Sequence, residues 1–158
     1  ALVRVVNSVV VAIILLLLII FLGIFFDVIG TAATAADLPP FNARAAKKVF
    51  GAQQAVKIIR NNDVMANYCN DVIGDIAGTL SGAIGAGIIV SLSTRLGFVD
   101  LILGGSVMTS LIAALTVGGK AVGKSMAVNN ANSIILRVAV FVAWWENISG
   151  IEVFKNRR

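Results

Sequence analysis

Histidine is absent from this chain, cysteine occurs once, at Cys69, and proline twice, at Pro39 and Pro40. Without histidine, the commonest zinc ligand and general base is missing. A lone cysteine rules out both a disulfide within these residues and a C-x-x-C metal or redox motif. Charge is scarce as well: 13% of the residues are Asp, Glu, Lys or Arg, where soluble domains carry about a quarter. No nucleophile stands beside a recognisable base, so the residues point away from an enzyme.

What fills the sequence instead is apolar: 58% of its 158 residues are hydrophobic. Residues 5–26 carry no charge, and Asn7 and Ser8 are their only polar members. A helix crosses a bilayer with about 20 such residues. Arg4 before this run and Ala33-Thr34-Ala35 after it imitate a secretory signal peptide, but the run exceeds the 7–15 residues of a signal's apolar core. A second span reads from about residue 72 to 90, interrupted by Asp75, and a third from 101 to 117, without charge. The short link at residues 93–97 suits a tight helical hairpin. Residues 134–145 contain Arg137 and are too short to cross on either side of it. With Trp144 and Trp145 at headgroup level, they read as an interfacial helix in preference to a fourth span.

Between the first two spans, Pro39-Pro40 interrupts the chain. From Phe41 onward, apolar residues at helical spacing (Phe41, Ala45, Val49, Ala52, Val56, Ile59) alternate with Arg44, Lys47, Lys48 and Lys57 on other faces. One or two amphipathic helices hinged at Gly51 are expected there. The sequence therefore predicts one all-α transmembrane domain over residues 1–158. Its spans lie at about 5–30, 70–92 and 98–118, with a juxtamembrane region at 41–62 and an interfacial helix at 128–147.

The formal charge of +5 would favour nucleic acid in a soluble protein. Here it reports orientation, because cytoplasmic loops are enriched in Lys and Arg. Arg44, Lys47, Lys48, Lys57 and Arg60 lie between spans one and two, and Lys120, Lys124, Arg137, Lys155, Arg157 and Arg158 follow span three; Arg4 and Arg95 stand alone on the other side. The expectation is a multi-pass plasma-membrane protein with its N-terminus outside and its C-terminus cytoplasmic. Its partner is the lipid bilayer, and no nucleic acid is implied.

Ionisable residues are costly in a bilayer, about 2.5–3.5 kcal/mol at a helix centre on insertion scales. Asp71 and Asp75 stand four residues apart, so a helix stacks them on one face with Asn67 and Thr79. That stripe of oxygen and amide groups suits a hard cation such as Mg²⁺ or Ca²⁺. The plainer reading makes Asp71 a helix cap at the interface and Asp75 a solvated neighbour. Gly74, Gly78, Gly82 and Ala86 recur every fourth position, with Gly85 beside them, which suits close helix packing through small residues. Gly30-Thr31-Ala32-Ala33-Thr34 could unwind and offer carbonyl and hydroxyl oxygens to an ion. Residues 118–125 formally fit a phosphate loop, yet follow a transmembrane helix and not a buried strand, so a basic helix exit explains them.

Three patches resemble the transmembrane domain of the CorC and cyclin M family of magnesium transporters. Phe25-Phe26 with Gly30-Thr31-Ala32-Ala33-Thr34-Ala35 is similar to the family's small-residue motif. Gly51-Ala52-Gln53-Gln54-Ala55 through Asn62-Asp63 to Ile73-Gly74-Asp75 is similar to its juxtamembrane segment and Gly-Asn motif. Gly119-Lys120-Ala121-Val122-Gly123-Lys124-Ser125-Met126-Ala127 is similar to its Gly-Glu-x-x-Pro-Lys-x-x-Ala motif. The resemblance implies a dimer that transports Mg²⁺, with Na⁺ as a counter-ion. By position it places metal ligands at Gly30 or Thr31, at Asp75 and Thr79, and at the Gly119 carbonyl; Thr34, Asp71 and Gly74 complete the candidate set. The departures are Ala33 and Lys120 in place of two glutamates and Gly123 in place of a proline. Lys120 and Lys124 then compensate charge or gate the path, with Asp75 as a partner for Lys120. The CBS modules that follow this domain in the family are not in these residues. The alternative is a non-transporting subunit that docks on a regulatory or partner chain through Gly74, Gly78, Gly82 and Gly85.

Overall fold

The computed structural model describes residues 2–97 and 100–150, with side chains from Ser8 onward except that of Leu96. All of the regular structure described is helical. Three helices are long and apolar enough to cross a membrane, Ser8–Ala35, Asn62–Arg95 and Leu101–Asn129. Additional helices lie between the first two, and one more follows the third. The chain is a three-span, all-α membrane protein, as the apolar runs predict.

Helix α1 covers Leu2–Ala35. It continues nine residues past the uncharged run, because the Gly/Thr/Ala stretch stays helical and does not unwind. The break falls at Ala36 and Asp37. Helix α2, Leu38–Ala46, then starts with both prolines in its first turn, where a missing N–H has no intrahelical acceptor to lose. The prolines thus open a helix, and the expected restart at Phe41 moves upstream to Leu38.

The expected hinge at Gly51 is a full break. Lys48 and Gly51 both adopt positive φ, 54° and 80°, and helix α3 follows as Ala52–Arg60. A side chain at Gly51 would strike the backbone of Val140, whose N lies 3.0 Å from the position of a Cβ. Glycine is needed there on both counts. Helix α4, Asn62–Ala66, passes through a π-helical segment, Asn67–Ile73, into helix α5, Gly74–Leu96. Gly97 closes α5 in the left-handed conformation. Asp100 caps the next helix by accepting from the N–H groups of Ile102 and Leu103 at 2.8 and 2.9 Å. Part of the predicted hairpin link, residues 98–99, lies outside the described residues.

Helix α6 runs unbroken over Leu101–Asn129, well beyond the expected end at 118. Residues 118–125 are therefore helical, and the phosphate-loop fit is a coincidence of spacing. Helix α7, Ala131–Ser149, buries Ala131, Ile135, Ala139 and Ala143 on one stripe.

Close approaches fix the directions of the helices. Gly23 faces Ala77 and Gly30 faces Asn70, so α1 and the second span are antiparallel, whereas Gly119 on Ile24 and Gly123 on Val28 make α1 and α6 parallel. Two apolar clusters result. One, at the end where α2, α3 and α7 gather, contains Ala32, Phe41, Ile58, Ala127 and Ile135. The other, toward the opposite end, contains Leu16, Ile20, Ile88 and Ile112.

Candidate functional site

Between those clusters along α1 stands a charge. Asp27 lies eight residues before the end of the Ser8–Ala35 span, about 12 Å inward at 1.5 Å per residue, and is 2% exposed. Lys120 Nζ lies 3.7 Å from its Oδ1, and Lys124 Nζ lies 3.7 Å from its Oδ2. The lysine side chains are 25% and 51% exposed, respectively. Their i, i+4 spacing stacks them on one face of α6. Gly119 and Gly123, on the neighbouring strip, let Ile24 and Val28 of α1 approach closely. That seam brings the carboxylate within reach of both ammonium groups.

The second span supplies the rest of the surroundings. Gly74 is buried beneath Lys120, whose Nζ lies 3.1 Å from where a Cβ at Gly74 would be. Asn70 comes from the π-helical segment, a feature that often marks functional sites. A Cβ at Gly30 would collide with the Asn70 side-chain oxygen. Among the described residues, three buried oxygens make no hydrogen bond: Asp27 Oδ2, Asn70 Oδ1 and Thr116 Oγ1. Thr116 precedes Lys120 by one turn. At 3.7 Å the ammonium groups are beyond hydrogen-bond distance, so the carboxylate is charge-paired without being hydrogen-bonded.

Of the residues expected from sequence, this site gathers Lys120, Lys124, Gly30 and Gly74. Lys120 pairs with Asp27, and no described ion pair includes Asp75, so the expected Lys120–Asp75 pairing is corrected. Asp71, Asp75 and Thr79 lie on an exposed face of the second span, and the Thr79 hydroxyl donates to the Asp75 carbonyl at 2.9 Å. Thr31 is half-buried and Thr34 exposed; the Thr34 hydroxyl donates to the Thr31 carbonyl at 2.8 Å. Gly119 serves as a contact for Ile24. Among the packing glycines, Gly74 and Gly85 face the interior, whereas Gly78 and Gly82 have nothing within 4 Å. Among the described residues, no group of three His, Cys, Asp or Glu could hold a metal.

The residue missed by sequence reasoning is Asp27. It stands directly after the uncharged run and inside the predicted span 5–30, where nothing local to the sequence sets it apart from the small polar residues that follow. A signal existed: one acid in an otherwise apolar helix, opposite two lysines one turn apart in another span.

No family model matches the chain, and searches of curated proteins and of solved structures return no match.

Proposed function

We propose that this chain is a transporter-like membrane domain in which its own lysines take the place of a transported cation, and that it acts as a non-transporting membrane subunit. The observation that carries this reading is the buried Asp27 carboxylate with two ammonium groups at 3.7 Å. The cluster has a formal charge of +1. A divalent ion about 4 Å from an unpaired ammonium would be repelled by about 8 kcal/mol at an effective dielectric of 20. The exposed face of the second span, with Asp71, Asp75, Gly78, Thr79 and Gly82, supplies the surface for a partner subunit, a second copy being the simplest.

A second reading is CorC-like Mg²⁺ transport coupled to Na⁺. It is favoured by the buried oxygens of Asp27 and Asn70 that make no hydrogen bond, hard donors suited to Mg²⁺ that would become available if Lys120 and Lys124 both withdrew from the carboxylate. Mg²⁺ uptake into proteoliposomes separates the two. The first reading expects no saturable uptake by the parent chain and a gain of Mg²⁺ binding in a Lys120→Met, Lys124→Met variant. Saturable uptake by the parent would establish transport and remove the subunit reading.

A further inference from the structure

A second basic site lies at the membrane-surface end of the bundle, apart from Asp27. Arg44 of α2 and Arg137 of α7 line one cleft of about 320 Å³, together with Phe41, Asn132 and Ser133. Arg44 sits over the Phe41 ring, 5.9 Å from its centroid, which holds the guanidinium toward the cleft. Neither arginine has a carboxylate partner among the described residues. Asp37, the acid closest in the chain to α2, is held by Asn132 at the edge of the cleft and not by either arginine: its N–H donates to Asn132 Oδ1 at 2.9 Å, and its Oδ2 accepts from Asn132 Nδ2 at 3.3 Å. Two guanidinium groups without a carboxylate partner, with the Ser133 hydroxyl beside them, form a donor set that phosphate oxygens take up.

The bundle also offers an apolar track. A groove of about 990 Å³ between α1 and α6 is lined by Leu17, Phe21 and Phe25 on one side and by Leu115, Val122 and Met126 on the other. Its α1 wall extends from Ile14 to Val28, about 21 Å, longer than the about 15 Å of one leaflet's hydrocarbon. Val28 links the two features, because it lines the groove and packs against the cluster that contains Phe41. A phosphate site and a hydrocarbon track joined through one apolar cluster match the two parts of a phospholipid.

We infer that the Arg44–Arg137 cleft binds the phosphate of an anionic phospholipid whose acyl chain lies in the α1–α6 groove. The assignment is independent of the role of Asp27. It is tested by native mass spectrometry of the full chain in mild detergent with an equimolar mixture of phosphatidylglycerol and phosphatidylcholine. Retained phosphatidylglycerol should exceed phosphatidylcholine by roughly 25-fold, and each of Arg44→Gln and Arg137→Gln should lower that ratio about fivefold. A Lys47→Gln, Lys48→Gln variant, which removes two nearby cations outside the cleft, should leave most of the preference. Equal losses in the lysine and arginine pairs would overturn the site in favour of diffuse surface charge. Displacement of the lipid by inorganic phosphate at millimolar concentration would overturn the lipid in favour of a free anion. Unchanged preference in the double arginine variant, with phosphatidylcholine retention also intact, would overturn the cleft altogether.

Discussion

The interior seam of the second span and its outer face use the same residue types to opposite ends. On the seam, Asn70 meets Gly30 of α1 and Gly74 meets Lys120 of α6, beside one buried carboxylate flanked by two lysines. On the outer face, Asp71, Asp75 and Thr79 are exposed, and a Cβ at Gly78 or Gly82 would meet nothing within 4 Å among the described residues. Periodicity assigns residues to a common face. It does not say which face turns inward, because in lipid both polar stripes and glycine stripes pack against protein.

The strongest way to break this contrast is Asp27→Ala, which leaves Lys120 unpaired in the interior. It should cost about 3–5 kcal/mol, read as a lower midpoint of denaturation in mixed detergent micelles; an unchanged midpoint would mean that the pair does not hold the spans together. Next comes Gly74→Leu, which must push the Lys120 ammonium aside and should cost about 1–3 kcal/mol. One turn further along, Gly78→Leu enters open space and should shift the same midpoint by no more than about 0.5 kcal/mol. Its larger effect should be on association: the proposed partner face predicts loss of the dimer by crosslinking. Lys124→Met, at a half-exposed position, should cost under about 1 kcal/mol. Asp75→Asn should be the smallest change, within about 0.5 kcal/mol, and a loss as large as that of Asp27→Ala would reverse the assignment of faces.

The spans, the helical stretch between the first two and the terminal helix were legible because each rests on composition and length: an uncharged stretch of residues, a proline pair, an amphipathic repeat. Element ends were less so. Gly118 and Gly119 read as a helix exit, yet α6 passes through them, because Ile24 fills the space beside Gly119 and the tertiary contact outweighs glycine's weak helix propensity. The candidate site was half legible. Lys120 stood out as a cation where a carboxylate was expected, but its partner lies 93 positions away in another helix, and Asp75 was the acid in view. Only the parallel docking of α1 and α6 selects Asp27.

That docking repeats with a period of one turn on both helices. Gly119 and Gly123 on α6 receive Ile24 and Val28 on α1, and Lys120 and Lys124 share one carboxylate. A slide of α6 by one turn, about 5.4 Å along α1, would bring Ala127 to the place of Gly123, where a Cβ lies 2.7 Å from the Val28 side chain. The two glycines thus act as a key that admits one register, and that register decides which lysines meet the buried acid.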